Sequence, residues 1–276
     1  MAKRIEGITA PIFDLSNRVA IVTGASSGIG AAIAATLAAF GARVVAVGRN
    51  AGRLANVVGD IRLTGGTAEA VVSELTDVNG IEQVIGAALR AFGQLDVIVH
   101  AAGIFIPATV IDTTADDFFK QWAVNVRVPF DLTKAALPYL KAGSSIIFVS
   151  STAARVGFAN TTAYAASKAA VDAMTRVMAI ELAPRGICVN GIAPGWTATP
   201  MNARLREDPA VVAAAIAATP AGRLAVPEDI APSVVFLASE ASRFIQGVVL
   251  DVGGGYPSLP DVIRRSATAH VTEGSS

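Results

Sequence analysis

The chain has 276 residues, 53% apolar and 16% charged, which is enough to bury a sizeable core within one α/β domain. Lysine plus arginine number 22, as do aspartate plus glutamate, so no net charge favours nucleic acid or an anionic membrane as a partner. The single cysteine, Cys188, excludes an internal disulfide and is expected to be a buried apolar residue. No signal-peptide pattern follows the basic N-terminus, so we expect a cytoplasmic protein with a small-molecule partner.

β-branched runs alternate with alanine-rich stretches, which predicts a parallel sheet with right-handed helical crossovers. Seven strands are predicted, at residues 19–23, 43–47, 69–75, 95–101, 145–150, 187–193 and 248–252. Helices are predicted near residues 29–40, 51–63, 79–92, 114–141, 161–183 and 227–239. The strands are continuous apolar runs, so both faces of the sheet should be covered. The pattern predicts an α/β, doubly wound Rossmann fold in a single domain.

The predicted domain spans residues 13–257, between an N-terminal extension at 1–12 and a C-terminal tail at 258–276. The tail either forms a short arm or is a frayed end, and we favour the frayed end. The uncharged run from Gly24 to Ala42 is long enough for a membrane span, but its small residues and the strand before it argue against one.

The first strand leads directly into TGASSGIG, residues 23–30, and then into a helix. Glycines at 24, 28 and 30 permit a tight turn, close approach of the backbone to a ligand, and close helix packing. The N–H groups at the start of that helix would face an anion. Strand, loop and helix stand in the order that a pyrophosphate site requires, so we predict a dinucleotide cofactor.

Tyr164 and Lys168 stand one helical turn apart in AYAASKAA, and Ser151 precedes Tyr164 by 13 residues at the end of a strand. Ligands of doubly wound folds bind at the carboxyl ends of strands. For a phenol whose pKa is about 10 to ionise near pH 7, the phenolate must be stabilised relative to the phenol by roughly 4 kcal/mol. An ammonium about 4 Å away supplies a comparable amount. We therefore expect Lys168 to lower the pKa of Tyr164, and the surrounding alanines to leave room for cofactor and substrate.

These motifs together resemble the short-chain dehydrogenase/reductase family. The resemblance rests on TGASSGIG, on YAASK, on Asn125 in VNVRVPF, on APGWTATPM at 193–201, and on the segment GRLAVPEDIAPSVVFLASEASRFIQGVVLDVGGG. It covers roughly residues 14–256. It implies an oxidoreductase that reduces a ketone, or oxidises the corresponding secondary alcohol, with a nicotinamide cofactor.

The resemblance implies a role for each of four catalytic residues. Tyr164 would donate the proton to the carbonyl oxygen, Ser151 would hold that oxygen, and Lys168 would contact the nicotinamide ribose and the phenol. Asn125 would help to hold a proton-relay water, although an asparagine inside a helix can instead bind a neighbouring carbonyl. Besides Tyr164 and Lys168, the residues predicted to contact the cofactor are Gly24, Ser26, Ser27, Gly28, Ile29, Gly30, Arg49, Asp77, Val78, Ala101, Gly103, Pro194, Gly195, Thr197 and Thr199.

Three residues near these motifs allow more than one interpretation. Asp77 is a helix N-cap, an adenine contact, or both, and Trp196 either packs its loop or forms a wall of the substrate pocket. His100 begins HAAG, where the family commonly has Asn-Asn-Ala-Gly, and we interpret it as a strand-end side chain bonded to backbone. No histidine or cysteine cluster has metal-ligand spacing, so no catalytic metal is expected.

The second strand predicts which nicotinamide cofactor binds. NAD-binding Rossmann units carry a carboxylate about 20 residues beyond the glycine motif, which accepts hydrogen bonds from the ribose 2′-hydroxyl. This chain has Gly48 there, followed by Arg49, whose planar guanidinium suits a 2′-phosphate. We therefore predict NADP(H), with NAD(H) as the less favoured cofactor.

The predicted lid, residues 197–223, is rich in alanine, valine and isoleucine, which favours an apolar or mixed ketone over a sugar. One alternative is reduction of 3-oxoacyl thioesters of acyl carrier protein or CoA, which would require a basic pair at the pocket mouth. Arg185 matches one member of that pair, but Ala142 occupies the other position. A second alternative, a non-catalytic NADP-binding regulator, would be expected to lack Tyr164, Lys168 or Ser151, and none is missing.

The predicted helix 161–183 carries apolar side chains nearly all round, more than one face of a sheet can bury. A partner helix should cover the remainder, so we predict a homo-oligomer. The family resemblance implies a tetramer, with helix 114–141 and the last strand as further contacts.

Overall fold

A computed structural model of the protein describes residues 12–256 and contains one sheet of seven parallel strands. The strands are β1 (Val19–Thr23), β2 (Arg43–Gly48), β3 (Thr67–Val72), β4 (Val97–His100), β5 (Ser145–Val149), β6 (Cys188–Pro194) and β7 (Val249–Val252). Their spatial order is β3-β2-β1-β4-β5-β6-β7, so the winding direction reverses between β1 and β4. The predicted fold class is confirmed. The predicted tail and residues 1–11 lie outside the described residues.

Eight α-helices connect the strands within the described residues. They are α1 (Gly28–Ala39), α2 (Ala51–Leu63), α3 (Val78–Phe92), α4 (Ala115–Trp122), α5 (Val128–Ala136), α6 (Thr162–Leu182), α7 (Pro209–Ala217) and α8 (Pro227–Ala238). No helix in residues 12–256 has the length and apolar character needed to cross a membrane.

A separate hydrophobic core lies on each face of the sheet. On one face, Ile33 and Leu37 of α1 pack with Val234 of α8 against the strands, and all three are fully buried. On the other face, α3, α5 and α6 supply the core, with Val84 and Leu132 fully buried. Because both faces are covered, the strands can be apolar throughout, as the sequence indicated.

The predicted helix over residues 114–141 is continuous from Ala115 to Ala136, but it is not α-helical throughout and it ends earlier than predicted. α4 ends at Trp122, a π-helical turn spans Ala123–Arg127, and α5 follows. The residue four positions after Asn125 is Pro129, which has no N–H to donate to the Asn125 carbonyl. The regular helical hydrogen bond therefore cannot form there, and the helix widens at Asn125.

Two further boundaries differ from the prediction. β3 was predicted at 69–75 but spans Thr67–Val72, because its parallel partner β2 ends at Gly48, which pairs with Val72. The predicted lid contains α7, which the sequence analysis missed. Asp208 caps α7 by accepting a hydrogen bond from the Ala210 N–H at 2.8 Å.

Candidate active site

A cavity of about 830 Å³ opens at the carboxyl edge of the sheet, where β1, β4, β5 and β6 end. This volume lies within the range of cofactor and substrate sites. Of the residues predicted to act on cofactor or substrate, those that line the cavity are Gly24, Ser26, Ser27, Gly28, Ile29, Gly30, Arg49, Ala101, Gly103, Ser151, Tyr164, Lys168, Pro194, Gly195, Thr197 and Thr199. Asn125, Asp77 and Val78 do not line it.

The glycine loop between β1 and α1 is shaped as a dinucleotide requires. Gly24 has φ of +69°, a left-handed conformation that favours glycine, and a Cβ on it would lie 2.8 Å from the Ala101 oxygen. A Cβ on Gly30 would lie 2.7 Å from the Gly24 carbonyl carbon. Ser27, the N-cap of α1, makes no side-chain capping bond, and the first turn contains no acidic residue. The helix start is therefore open to a phosphate, and the loop fits the pyrophosphate of the predicted cofactor.

Thr23, at the end of β1, fixes the junction between β1 and β4. Its hydroxyl donates to the Val99 carbonyl at 3.3 Å and accepts from the N–H groups of Ala101 at 3.1 Å and Ala102 at 3.0 Å. Thr23 is 1% exposed. No role was predicted for Thr23, which belongs to the glycine motif, because its partners lie more than 70 residues away along the chain.

The far end of the cavity lies where β2 and β3 finish. Arg49 lines it, with Nη1 3.7 Å from Glu74 Oε2, and both side chains are more than half exposed. Glu74 Oε1 accepts from the N–H and the hydroxyl of Thr76 at 3.2 and 3.0 Å. Arg53, from the first turn of α2, lines the same end. Glu74 was not predicted to lie here, because the shift of β3 brings residues 73–76, rather than Asp77, to the cavity. Arg53 was not predicted either, although it stands only four residues after Arg49.

Asp77 is the N-cap of α3, where its carboxylate accepts a hydrogen bond from the Asn79 N–H at 3.0 Å. This agrees with the N-cap interpretation. Val78 is the first residue of α3, and its side chain is 60% exposed.

Ser151 and Tyr164 meet at the end of β5. Ser151 Oγ accepts from the Ala153 N–H at 3.1 Å, and the Ser151 hydroxyl lies close enough to the Tyr164 phenol to lower its pKa. Tyr164 stands in the first turn of α6, and its ring packs edge-on against Phe105 with ring centroids 5.1 Å apart. The two hydroxyls are therefore held as a pair inside the cavity.

The pKa of Tyr164 is raised rather than lowered, contrary to our expectation. Burial raises the pKa of the Tyr164 phenol, and the hydrogen bond from Ser151 only partly opposes that effect. The Lys168 Nζ lies 5.7 Å from the Tyr164 ring centroid and donates to the Val149 carbonyl at 2.8 Å. The ammonium is directed at backbone rather than at the phenol, which removes the close approach that the expectation assumed.

A buried acid network lies behind Lys168. Burial lowers the pKa of Lys168 to about 8, and the carboxylate of Asp172, one helical turn along α6, opposes that decrease. Asp172 is 5% exposed, accepts a short hydrogen bond from the Ser150 hydroxyl, and lies 3.4 Å from Arg155 Nε. Arg155 also pairs with Asp251 of β7. The sequence analysis missed this network because its members come from four separate elements.

Asn125 lies behind the cavity, where it is 1% exposed. Its Oδ1 accepts from the Ile104 N–H at 2.8 Å, and its Nδ2 donates to the Ile104 carbonyl at 3.0 Å and to Ser167 Oγ at 3.0 Å. The side chain thus binds neighbouring backbone, as in the second interpretation. It ties the loop after β4 to α6, which carries Tyr164.

The interpretation of His100 as bonded to backbone is wrong. Its Nε2 is hydrogen-bonded to the Thr133 hydroxyl of α5 at 2.9 Å, and its ring stacks on Phe148 with centroids 4.8 Å apart. Its Nδ1 has no hydrogen-bond partner among residues 12–256. Burial lowers the pKa of His100 to about 3, so the imidazole is neutral near pH 7. His100 does not line the cavity.

Two other interpretations are not supported. No alanine between Ala163 and Ala170 lines the cavity, and Ala166 and Ala169 are exposed on the outer side of α6. Arg185, the candidate for a thioester-binding pair, donates instead to the Leu137 carbonyl at 2.7 Å near the end of α5, and it does not line the cavity. Arg185, the residue that favoured the thioester-reductase alternative, is therefore not placed to bind a thioester in the cavity. Among residues 12–256, no three His, Cys, Asp or Glu side chains lie together as metal ligands would.

The cavity beyond Tyr164 is walled by aromatic side chains. Phe158 contacts Trp196 edge-on, with centroids 6.2 Å apart, and stacks on Tyr256 at 5.7 Å. Trp196 both packs its loop and lines the cavity, so its two interpretations hold together. In the following segment, the Thr197 hydroxyl donates to the Gly195 carbonyl at 3.1 Å, which holds the loop after β6 in place.

Comparison with known proteins gives one consistent family. A family model described as enoyl-(acyl carrier protein) reductase matches residues 24–257. Cis-4-hydroxycyclohexanecarboxylate dehydrogenase of Sinomonas cyclohexanicum is 41% identical over 88% of this chain and 98% of its own. The 3-oxoacyl-(acyl-carrier-protein) reductase of Thermotoga maritima is 35% identical over 87% of this chain and 98% of its own.

A crystal structure of a Beutenbergia cavernae protein, described as an NAD(P) dependent gluconate 5-dehydrogenase with bound NADP at low occupancy, has a TM-score of 0.84. It is 40% identical and covers 90% of this chain and 100% of that one. The sequence matches and the structural match agree on one family. The chain is therefore an oxidoreductase that belongs to the short-chain dehydrogenase/reductase family.

Proposed function

We propose that the protein is an NADP(H)-dependent enzyme that reduces a ketone, or oxidises the corresponding secondary alcohol, with Tyr164 as the acid–base. The observation that carries the proposal is the proximity of the Ser151 and Tyr164 hydroxyls, which line the same cavity as the glycine loop. A regulator without catalysis would have no use for two hydroxyls held together in this way.

The mechanism follows from what each side chain can do. The Ser151 oxygen already accepts from the Ala153 N–H, so its proton can be donated to a carbonyl oxygen. Burial keeps the Tyr164 phenol protonated near pH 7, which suits it to donate a proton to the same oxygen during reduction. Lys168, held by the Val149 carbonyl, keeps a positive charge beside the phenol and stabilises the phenolate after the proton has left. The nicotinamide, when bound, supplies the hydride.

A turnover assay tests the proposal. The protein is incubated with NADPH and a panel of ketones, and separately with NADP⁺ and the matching alcohols. We expect cofactor oxidation or reduction with at least one pair. Tight NADPH binding without turnover of any pair would favour the regulator, and turnover limited to acyl thioesters would favour the thioester reductase.

The preference for NADP(H) over NAD(H) is supported by the charges at the far end of the cavity. Two guanidinium groups, those of Arg49 and Arg53, line this end with a single carboxylate, that of Glu74. Two positive charges against one negative charge leave a net positive charge for a 2′-phosphate, and Glu74 Oε1 is already engaged by Thr76. A planar guanidinium can also bind such a phosphate through paired hydrogen bonds.

Arg49→Leu tests this preference. One charge-assisted contact contributes about 1.5–3 kcal/mol, so wild-type kcat/KM should favour NADPH by about tenfold or more. The variant should lose most of that preference by weakening NADPH alone, and Arg49→Lys should lose less. Arg62→Leu, on the same helix as Arg53 but outside the cavity, is the control. A wild-type kcat/KM for NADH equal to that for NADPH would contradict the proposal.

We also propose a homotetramer. A stripe of exposed side chains runs along the outer side of α6 and includes Val177 at 54% and Ile180 at 77% exposure. Phe119 of α4 and Phe130 of α5 are exposed at 67% and 45%. A second copy of the chain would cover this apolar surface.

A further inference from the structure

The charges that line the cavity are unevenly distributed. Within residues 12–256 they belong to four side chains, those of Arg49, Arg53, Glu74 and Lys168. The first three lie where β2 and β3 end, far from the Ser151–Tyr164 pair. Lys168 is 5% exposed, and its ammonium donates to the Val149 carbonyl. The charged groups are thus confined to the part of the cavity proposed to hold the cofactor.

The part of the cavity beyond Tyr164 is lined by uncharged side chains, which we call the substrate end. Its principal members are Phe105, Phe158, Trp196, Met201, Leu205 and Val211. Thr161 adds a hydroxyl, but that hydroxyl donates to the Phe158 carbonyl at 2.8 Å. Asn160 and Asn202 also line the cavity, and the Asn202 amide is bonded to backbone of Thr197 and Thr199. A ligand group at this end therefore meets mainly aromatic rings and aliphatic chains, with no charged side chain.

The arginines closest in sequence to the substrate end add no charge to its lining. Arg206 Nε donates to Asn202 Oδ1 at 3.1 Å, and its Nη2 donates to the Thr199 carbonyl at 3.1 Å. Neither Arg206 nor Arg204 lines the cavity. A carboxylate or phosphate placed at the substrate end would lose water without gaining a cationic partner among residues 12–256. Burying a charge without a partner is strongly unfavourable, whereas a ring or an alkyl chain is stabilised there.

We propose that the substrate is a neutral ketone or secondary alcohol with an apolar ring or chain, and that substrates with a carboxylate on that ring or chain are rejected. This inference rests on the proposed function and adds the class of its substrate. It separates this chain from relatives named for hydroxy acids, since those substrates are carboxylates at neutral pH.

A matched pair of ketones tests the inference. With NADPH at pH 7, kcat/KM is measured for 4-oxocyclohexanecarboxylate and for its methyl ester, which share the ring and differ in charge. We expect the ester to exceed the acid by about tenfold or more. Equal or better turnover of the acid would overturn the inference and leave the proposed reaction intact.

Binding provides a readout that does not require turnover. Trp196 lines the substrate end, so its fluorescence reports occupancy in the Tyr164→Phe protein with NADPH present. The ester should quench at a concentration about tenfold or more below that of the acid. Quenching by the acid at an equal or lower concentration, or by neither ligand, would overturn the inference even if the enzyme turned over no ketone.

A positive charge introduced at the substrate end should make the enzyme accept the carboxylate. Met201 is 49% exposed and lines the substrate end. Met201→Arg should raise the acid-to-ester ratio of kcat/KM by about tenfold. Met201→Gln, which is polar and uncharged, should leave that ratio near the wild-type value. An unchanged ratio in the arginine variant would overturn the inference.

Discussion

Lys168 is a buried ammonium on which two effects act in opposite directions. Burial disfavours the charged form, the Asp172 carboxylate favours it, and the pKa of Lys168 settles at about 8. The ammonium is therefore present below that pH and is lost as the pH rises through it. The pKa of Tyr164 is raised, so the phenol remains protonated over the same range. We expect kcat/KM for ketone reduction to be constant at lower pH and to fall as the pH passes about 8.

Asp172→Asn tests which group causes that fall. The amide keeps the shape of the side chain but removes the negative charge, so the pKa of Lys168 should drop and activity should be lost at lower pH. At pH 8 we expect kcat/KM to fall by about threefold to tenfold, with recovery in more acidic buffer. Asp251→Asn removes the other carboxylate bonded to Arg155 and should leave the profile unchanged. A profile that did not move in Asp172→Asn would assign the fall to a different group.

That Ser151, Tyr164 and Lys168 would meet in one cavity could be predicted, because each is marked in the sequence by its neighbours. Tyr164 and Lys168 share a helix, and Ser151 ends a strand, so elementary geometry brings them together. The pKa of Tyr164 could not be predicted in this way. It depends first on burial, which is not visible from spacing, and then on the Ser151 hydroxyl.

At the scale of elements, the alternation of strands and helices predicts the sheet, whereas boundaries depend on partners. β3 begins and ends where β2 can pair with it, which brings Glu74 to the cavity in place of Asp77. The π-helical turn at Asn125 was marked in the sequence by Pro129, four residues later, but the apolar pattern of residues 114–141 suggested a regular α-helix. α7 was missed, although Asp208 followed by Pro209 is a typical helix start.

Two glycines inside helices differ in the space around them, so alanine variants of both test how closely the helices pack. Gly30 of α1 has no room for a side chain, because a Cβ would lie 2.7 Å from the Gly24 carbonyl carbon. Gly59 of α2 has no atom within 4 Å of the position of a Cβ. Gly59→Ala should raise the free energy of unfolding by about 0.5–1 kcal/mol through helix propensity.

Gly30→Ala should lower the free energy of unfolding by about 1–3 kcal/mol, since the backbone must shift to relieve the overlap. It should also weaken NADPH binding, because the shifted turn is the one that faces the proposed pyrophosphate. Urea denaturation at equal protein concentration and NADPH fluorescence titration measure both effects. Equal stability of the two variants would contradict the close packing of α1 on the loop.

At the scale of the whole molecule, the exposed apolar surface of α4, α5 and α6 predicts assembly. Light scattering at micromolar concentration should give a mass about four times that of the 28.1 kDa chain. Ile180→Arg places a charge in the middle of this surface and should shift the protein toward smaller species. Leu63→Arg, at the end of α2, changes a residue that is 86% exposed and should leave the mass unchanged. A 28.1 kDa monomer of the wild-type protein would contradict the proposal.

The central claim is that Tyr164 transfers the proton, and Tyr164→Phe tests it most directly. The phenylalanine ring can still pack against Phe105, so NADPH binding, followed by fluorescence, should be largely kept. The transferable proton is gone, and turnover should fall by about 10²- to 10⁴-fold. Tyr139→Phe, which removes a hydroxyl outside the cavity, should keep the wild-type rate. A Tyr164→Phe rate above about a tenth of wild type would contradict the assignment.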